Sequence, residues 1–342
     1  MSVNHVNILA CDIGGTKTDL AIFSAEAGFT TPIAEQTYPS KKYPDIESIL
    51  HEFLAKEKAV RVESASFSVA GPVVNGRAST TNLPWIVDEK LLGKSLGISS
   101  VYILNDLVAT TYFISHLSEE DICPLNGVSP NRNGTIGVIA PGTGLGEAFA
   151  VWDGRRYRAY GSEGGHSDFA PNSEVEIELL QDLRRNWDHI SWERVCSGPG
   201  IRNIFNYYHK DPIFADEKAS MEKETAQLDD PTPYIVNRAL DRKTSCSTCL
   251  STLNTFLEVF GAEAGNLALK VMAAGGVYLG GGIPPQILQA LENGLFMQAF
   301  QRKGRLSPLL SIVPVRVILN PRCALLGAAQ YALDSLKESE AT

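Results

Sequence analysis

Residues 101–111 read VYILNDLVATT, and this stretch decides how the fold around it is organised. Four apolar or aromatic residues, 101–104, run directly into Asn105 and Asp106, and a helical pattern begins at Leu107. A buried strand that ends in this way places an amide and a carboxylate at its carboxyl end, where open α/β sheets bind their ligands. Asp106 is therefore a candidate general base. The alternative is that it caps the helix that begins at Leu107.

Alternating strands and helices indicate an α/β fold, and 342 residues are more than one hydrophobic core usually serves, so two domains are expected. The order strand, glycine turn, strand occurs twice, with turns at residues 12–18 and 141–146. This repetition predicts a duplicated βββαβαβ unit, each copy of which offers one phosphate-facing turn to a shared cleft.

Three glycine-rich turns are candidates for nucleotide binding, because paired glycines let the backbone approach a ligand and the amides of such a turn form a cradle for anions. The first turn lacks Walker A spacing, so a plain hairpin is the alternative, but the carboxylate that enters it suits a group that orients hydrated Mg²⁺. The third turn, between a strand and a helix, allows a flat group such as a purine to lie against the backbone. The residues are Asp12, Ile13, Gly14, Gly15 and Thr16 in the first turn, Gly142, Thr143 and Gly144 in the second, and Gly280 and Gly281 in the third.

The densest cluster of glycine and polar residues is GSEGGHSD, residues 161–168. Its flexible backbone can aim Glu163 and His166 at one small ligand. The alternative for His166 is a structural histidine whose hydrogen bonds are satisfied within the protein. Glu193 lies further along, in SWERV, and on its own it is interpreted as a solvated carboxylate on a helix face.

Composition excludes several classes of partner. Thirty Lys and Arg against 39 Asp and Glu give a net charge of −9, without a basic block that would follow a phosphate backbone, so neither nucleic acid nor an anionic membrane is an expected partner. The sequence shows no secretory leader and no run of 18 apolar residues, so we expect a cytosolic protein. The six cysteines are expected to be reduced thiols, and the single CxxC at residues 246–249 is interpreted as two thiols one helical turn apart rather than as a metal site.

Four further segments carry predictions of secondary structure. The polar residues 210–233 predict a mobile surface excursion. Helical spacing predicts a long helix from the CxxC to about residue 273 and a shorter helix over residues 286–295. A terminal helix is predicted at residues 322–336, with small residues on one face that permit close helix packing.

Taken in order, eight motifs resemble those of the bacterial-type glucokinases of the hexokinase, Hsp70 and actin superfamily, and the resemblance covers nearly the whole chain. EGGH followed by ER-x-x-SGPG is the part specific to glucokinases, whereas the glycine turns are shared with the wider superfamily. The motifs are DIGGT (12–16), TNLPW (81–85), LND (104–106), GTGLG (142–146), EGGHSDFAPNSE (163–174), WERVCSGPG (192–200), CSTC (246–249) and GGGI (280–283).

The resemblance implies a two-domain actin-like ATPase fold, ribonuclease H-like in each domain, with a cleft between the domains. We place the small domain at residues 1–112, completed by residues 319–342, and the large domain at residues 113–318. It implies a homodimeric kinase that uses ATP and Mg²⁺ to convert glucose to glucose 6-phosphate. It also implies site roles: Asp106 as the general base for the sugar 6-hydroxyl, and Asn105, Glu163, His166 and Glu193 as the residues that bind the other hydroxyls.

Two departures from the family pattern concern phosphate contacts and zinc. Many of these glucokinases have Gly and Asn where this chain has Cys11 and Lys17, and Lys17 either reaches a phosphate or points to solvent. The zinc-binding cysteine motif of the related ROK (repressor/kinase) family is absent, which indicates the zinc-free branch. No metal site built from protein ligands alone is expected.

Three alternatives to a glucokinase stay open at this stage. The first is a kinase for another hexose or an N-acetylhexosamine. The second is a sugar-sensing repressor, which would need a helix-turn-helix ahead of the first strand, and only about a dozen residues precede Gly14. The third is an actin- or Hsp70-like ATPase scaffold, which would lack the cluster of Glu163, His166 and Glu193.

Overall fold

The computed structural model describes residues 6–29, 31–57, 60–80, 83–241 and 246–340. Within this part of the chain the strands, numbered in chain order, are β1 (Asn7–Ile13), β2 (Lys17–Ser24), β3 (Ala34–Pro39), β4 (Ser64–Val69), β5 (Val73–Val74), β6 (Arg77–Ser79), β7 (Ile86–Asp88), β8 (Ser100–Asn105), β9 (Ile122–Pro124), β10 (Ile136–Pro141), β11 (Leu145–Trp152), β12 (Tyr157–Ser162), β13 (Gly276–Leu279) and β14 (Val315–Ile318). The α-helices are α1 (Ile46–Lys56), α2 (Glu89–Leu96), α3 (Asp106–Phe113), α4 (Glu174–Leu183), α5 (Gly198–Tyr208), α6 (Ala215–Thr225), α7 (Thr232–Leu240), α8 (Ser247–Val271), α9 (Ile283–Gln286), α10 (Leu288–Leu291), α11 (Leu295–Gln301), α12 (Ser307–Ser311) and α13 (Cys323–Glu340).

The described residues fall into two compact units. The first comprises residues up to 118, residues 156–161 and residues from 320 onward. The second comprises residues 119–155 and 162–319. Each unit has its own sheet and its own hydrophobic core.

The sheet of the first unit has the strand order β3-β2-β1-β4-β8. β1 and β2 form an antiparallel hairpin, whereas β1, β4 and β8 run parallel to one another. Both faces of these parallel strands are covered, because α1 packs its buried residues against one face and α13 lies on the other, beside α3. Gly327 of α13 permits this approach, since a Cβ there would overlap the carbonyl of Ala109 in α3. Sheets covered on both faces place their ligand sites at the strand ends.

The sheet of the second unit repeats this pattern of pairing. β10 and β11 form the antiparallel hairpin, β10, β13 and β14 are parallel, and β9 pairs antiparallel with β14. The long helix α8 is buried along most of its length and packs against α5, α7 and α11. The α/β fold and the duplicated strand order that the sequence predicts are therefore confirmed.

Several predictions of detail are also confirmed. α8 begins directly after Cys246, and the terminal helix α13 is present and slightly longer than predicted. All six cysteines are free thiols, as expected. In the described residues no helix is long and apolar enough to cross a membrane.

Two predictions of secondary structure are wrong. The segment predicted as a mobile excursion contains α6 and the start of α7, and α6 is anchored because Met221 is buried and Glu217 accepts hydrogen bonds from the first amides of α8. The single helix predicted over residues 286–295 is instead divided among α9, α10 and α11, with Gly294 at φ +95° before the last of them. Of the motif TNLPW, Thr81 and Asn82 lie outside the described residues.

Candidate active site

The carboxyl end of the first sheet collects the polar residues that the sequence places after its strands. The register pairs Asp12 with Ser68 and Val69 with Asn105, so all of these residues lie at one edge of β1, β4 and β8. Asp106 follows Asn105 directly, as the first residue of α3. The residues at the carboxyl ends of these strands therefore form one polar edge, where open α/β sheets bind their ligands.

Helix α3 is capped by Asn105 rather than by Asp106. The side-chain oxygen of Asn105 accepts hydrogen bonds from the amides of Leu107 at 3.0 Å and Val108 at 3.2 Å, and its Nδ2 donates to the carbonyl of Gly71 at 3.1 Å. The alternative in which Asp106 is the cap residue is therefore wrong. These contacts fix the Asn105 side chain within the protein.

Asp106 lies in the first turn of α3, where the amide of Leu107 donates to its Oδ1 at 2.9 Å. Burial raises the pKa of its carboxyl above the ordinary value, and the hydrogen bond from this amide lowers it in part. The positive end of the helix dipole also favours the ionised form. The carboxylate is thus held in one orientation and is a stronger base than an exposed aspartate, which suits a general base.

Asp12, the next-to-last residue of β1, lies at the same edge. Ser68 Oγ donates to its Oδ1 at 2.8 Å. Burial raises the pKa of Asp12 from 3.8 to about 6, the hydrogen bond from Ser68 opposes this shift, and the neighbouring Asp106 and Asp19 raise it further. Two carboxylates in partly desolvated surroundings create a negative potential that a cation would relieve.

The first glycine turn is fixed by Ser40, which follows β3 and is fully buried. Ser40 Oγ donates to the carbonyl of Gly14 at 2.7 Å, and its amide donates to the carbonyl of Thr16 at 3.1 Å. Two carbonyls of the turn are thereby bound to protein donors. Lys17 is exposed and pairs with Asp19 at 2.8 Å, so of its two predicted roles the solvent-facing one is found in this structure.

The second glycine turn joins β10 to β11 and is braced by Glu193. The amide of Leu145 donates to Glu193 Oε2 at 2.9 Å, and a Cβ at Gly144 would lie 2.5 Å from the same oxygen. Ser197, the cap of α5, donates from Oγ to the carbonyl of Glu193 at 2.7 Å, and the amide of Gly198 donates to the carbonyl of Gly142 at 2.8 Å. Glu193 is therefore held in place from two directions and is not a freely solvated carboxylate.

The segment 163–166 brings its two functional candidates to Glu193. His166 Nε2 lies 3.9 Å from Glu163 Oε2, and His166 Nδ1 lies 4.0 Å from Glu193 Oε1. The side chains of His166, Glu163 and Glu193 are 61%, 78% and 32% exposed, respectively. The alternative of a buried structural histidine is thus wrong, because His166 presents its ring to solvent between two carboxylates. Glycine is required at Gly165, where a Cβ would overlap the carbonyl of Leu145.

The third glycine turn lies beside the second. β10 and β13 are parallel and in register from Ile136 to Ile139, so both turns leave the same edge of the second sheet. Gly281 has φ +80°, and a Cβ there would lie 2.5 Å from the carbonyl of Pro141. The third turn therefore packs closely against the end of β10 at this sheet edge.

Sequence reasoning missed the residues that hold the candidates in place. Ser40, Ser68 and Ser197 each bind a candidate residue or a glycine turn. Ser197 was identifiable, because Ser before a Gly-Pro helix start is a typical cap. Ser40 and Ser68 are far from their partners along the chain and no local pattern marks them. In the part of the chain that is described, no group of three or more His, Cys, Asp or Glu is arranged to hold a metal ion.

Two units, each with a hairpin and parallel strands in the same order, a glycine turn at the sheet edge and a polar cluster beside it, define a protein with the two-domain actin-like fold of sugar kinases. A glucokinase from an Antarctic psychrotroph superposes with a TM-score of 0.81 at 30% identity, covering 96% of this chain and 99% of that one. A ROK family glucokinase from Streptomyces griseus, solved with glucose and AMPPNP, superposes with a TM-score of 0.63 at 18% identity, covering 96% and 99%, which shows the shared fold.

The family follows from the sequence itself. The glucokinase family model matches residues 9–335. A glucokinase from Nostoc punctiforme is 42% identical over 339 residues, covering 95% of this chain and 98% of that protein. This chain belongs to the glucokinase family.

Proposed function

We propose that this protein is an ATP-dependent glucokinase that transfers the γ-phosphoryl group of ATP to the 6-hydroxyl of D-glucose. The observation that carries the proposal is the cluster of Glu163, His166 and Glu193, in which one ring nitrogen of His166 lies 3.9 Å from Glu163 and the other lies 4.0 Å from Glu193. A hexose is neutral and carries hydroxyl groups on successive carbons. Carboxylates that accept and an imidazole that both accepts and donates match such a ligand, and they discriminate against analogues that lack a hydroxyl.

In this proposal Asp106 is the general base. Its carboxylate accepts the proton of the sugar 6-hydroxyl as that oxygen attacks the γ-phosphorus, and Asn105 donates its second N–H to the sugar. The fixed orientation of Asp106 at the start of α3 supports this role, because a base must lie within hydrogen-bond reach of the proton it removes. Glu163, His166 and Glu193 hold the remaining hydroxyls and so align the attacking oxygen.

ATP binding is assigned to the glycine turns. At Gly14 a Cβ would lie 2.9 Å from the carbonyl of Lys17, which accepts a hydrogen bond from the Gly14 amide, so the first turn is tight and disfavours a side chain at position 14. Asp12, Ile13, Gly14, Gly15 and Thr16 are proposed for the phosphates, together with Gly142, Thr143 and Gly144. Gly280 and Gly281, in the turn between β13 and α9, are proposed for the adenine base. The proposal is supported by AMPPNP in the structure of the S. griseus relative.

Mg²⁺ fits the residues at the edge of the first sheet. Mg²⁺ in phosphoryl-transfer sites keeps several waters and binds one or two carboxylates plus the substrate phosphates, so a cluster of three protein ligands is not required. Ser68 aligns the carboxylate of Asp12, and Asp106 adds negative charge nearby. The oxygens of Asp12 are suited to accept hydrogen bonds from the waters of a hydrated Mg²⁺. When bound, the ion would neutralise charge on the transferring phosphoryl group.

The remaining parts of the proposal concern context. The product, glucose 6-phosphate, would enter glycolysis, and a cytoplasmic location is proposed because ATP and the sugar meet there. The domain division at residues 112 and 319 and the homodimer stay predictions from the resemblance. A kinase for another hexose or an N-acetylhexosamine is the alternative, because one altered hydroxyl contact is enough to shift preference.

Identification of the product tests the proposed reaction. Purified protein is incubated with Mg-ATP and either glucose or 6-deoxyglucose, and glucose 6-phosphate is measured enzymatically. We expect glucose 6-phosphate from glucose, whereas 6-deoxyglucose should compete with glucose without being phosphorylated. A phosphorylated product at another carbon, or phosphorylation of 6-deoxyglucose, would overturn the assignment of the 6-hydroxyl.

A further inference from the structure

A buried carboxyl group lies directly beneath the sugar-binding segment 163–166. Glu147 belongs to β11, two residues after Leu145, and its side chain is nearly inaccessible, with 3% of the residue exposed. Its Oε2 packs so closely against Gly164 that a Cβ at that position would overlap it. Glu147 therefore touches the backbone that carries Glu163 and His166, without itself reaching the accessible cluster.

The groups that face Glu147 come from α8 and from the turn before α5. Glu263 of α8 is fully buried and interacts directly with the Glu147 carboxyl. Lys270 Nζ lies 3.0 Å from Glu263 Oε1, and Asn266 Nδ2 donates to Glu263 Oε2 at 2.8 Å. Cys196 is a buried thiol whose pKa is raised well above its ordinary value, mainly by burial, so it contributes no charge.

Lys303 also approaches Glu263. Its Nζ donates to the carbonyl of Ala262 at 2.8 Å and to Asn266 Oδ1 at 2.6 Å. Lys270 forms an ion pair with Glu263, whereas within the described part of the chain no cation forms an ion pair with Glu147.

These contacts assign one proton to the pair of carboxyl groups. Both carboxyl oxygens of Glu263 accept hydrogen bonds, one from Lys270 and one from Asn266. Glu147 Oε1 is buried and has no hydrogen-bond partner within the described residues, which is costly for a carboxylate and much less so for a neutral acid. Burial and the charge of Glu263 raise the pKa of Glu147 well above its ordinary value, and Lys270 lowers it in part.

We propose that Glu147, as the neutral acid, is a positioning residue that supports segment 163–166 in the conformation that binds the sugar. The proposal rests on the proposed function, because it acts through Glu163 and His166. Ionisation of Glu147 places a second negative charge beside Glu263 in the core. The carboxylate can then gain water only by moving toward the surface, and Gly164 lies in that direction. Loss of the proton therefore displaces the sugar-binding segment.

The test is the pH dependence of glucose binding in the absence of nucleotide, measured by calorimetry at pH 7 and pH 9. If only the protonated form holds the segment, the Kd for glucose should be higher at pH 9 than at pH 7, increasing by up to about tenfold for each pH unit above the pKa of Glu147. In steady-state assays the KM for glucose should rise over this range, while kcat changes much less.

Three variants separate positioning from a general effect of pH. Glu147→Gln is isosteric with the neutral acid and should bind glucose normally at pH 7 and show no rise at pH 9. Glu263→Gln removes the neighbouring charge, so the rise should begin at lower pH. Glu258→Gln, in the same helix, removes a carboxyl whose pKa is raised by burial and by Glu176, and it should keep the wild-type profile.

The possible failures are distinguishable. A wild-type Kd that is equal at pH 7 and pH 9, or a rise that persists in Glu147→Gln, would overturn the positioning role while glucose phosphorylation at pH 7 stands. If Glu147→Gln does not fold, the wild-type and Glu263→Gln profiles decide the question alone. Absence of glucose binding and of glucose phosphorylation at pH 7 would overturn the proposed function, and the inference with it.

Discussion

Asn105 and Asp106 show how a shift of one position along the chain changes the role of a residue. Because Asn105 supplies the cap of α3, the carboxylate of Asp106 is not the cap; it accepts an amide hydrogen bond from Leu107 and also interacts with the side chain of Asn105. A residue engaged in capping would have its oxygen committed to the helix. Because Asn105 caps the helix, Asp106 is available as the proposed general base.

Asp106→Asn should lower kcat for glucose by about 10²–10⁴-fold, the usual contribution of a general base, while Kd for glucose changes little. The amide is isosteric and accepts the same hydrogen bond from Leu107, so the fold is preserved. Asp106→Ala should give the same loss of turnover. Steady-state kinetics together with calorimetric glucose binding measure both quantities. A variant with near-normal kcat would remove Asp106 from the mechanism.

Asp12 is a residue that opposes folding in the absence of ligand. Its pKa is raised by burial and by Asp106 to about 6, so the folded state holds this proton more tightly than the unfolded chain does. The free energy of unfolding therefore decreases as the pH rises from about 4 through 6, and at neutral pH the whole decrease that Asp12 causes is present.

Asp12→Asn should raise the free energy of unfolding at pH 7.5 by about 1–3 kcal/mol, since a shift of about two pKa units corresponds to at most about 3 kcal/mol. The same change should raise the KM for Mg-ATP, in line with the trade-off between stability and function. Urea denaturation without nucleotide measures the first effect, which should shrink toward pH 4. The exposed Asp229→Asn is the control. A destabilised Asp12→Asn would contradict this account of Asp12.

At the scale of elements, the first hairpin and the helix pair α3–α13 depend on close packing. A residue outside the β1–β2 turn helps to hold it. Ser40, the residue after β3, donates from Oγ to the carbonyl of Gly14, and the same Oγ lies 2.9 Å from Thr18 Oγ1. The shape of the proposed phosphate cradle is therefore a property of three strands together.

Ser40→Ala should destabilise the first unit by about 1–2 kcal/mol, because two buried oxygens lose a partner, and it should raise the KM for ATP severalfold with little change in the KM for glucose. Ser95→Ala, at an exposed position, is the matched control. Chemical denaturation and initial-rate kinetics measure these effects. Equal changes in both KM values would contradict a specific role for Ser40 in the phosphate turn.

The contact between α3 and α13 makes a separate prediction. Gly327→Ala introduces a methyl group that overlaps the carbonyl of Ala109, and separation of the helices should cost about 1–3 kcal/mol of unfolding free energy. Gly127→Ala, where no atom lies within 4 Å of the added Cβ, should be neutral or slightly stabilising. Urea denaturation of the two variants makes the comparison, and equal stabilities would show that the helices are not closely packed at Gly327.

At the scale of the whole molecule, the sequence predicts the strands, helices and turns whose residue pattern lies within one short stretch of the chain. β4, α8 and the two glycine hairpins were identifiable because their apolar spacing and turn residues are contiguous. Helix α6 was not, since its polar residues are stabilised by Glu217, which binds the amides of Ser247 and Thr248 about thirty residues away. The same limit applies to the site: its motifs were visible, whereas the supports Ser40, Ser68 and Glu147 depend on contacts between distant segments.

The central claim, that this protein is a glucose kinase, is tested most directly by ADP release from Mg-ATP across a panel of sugars. The panel contains glucose, mannose, fructose and N-acetylglucosamine, with a control that contains no sugar. We predict rapid turnover with glucose and very little without sugar. Strong turnover only with another sugar would reassign the substrate, whereas turnover without sugar, or none with any sugar, would contradict the account in favour of an ATPase scaffold or a sugar sensor.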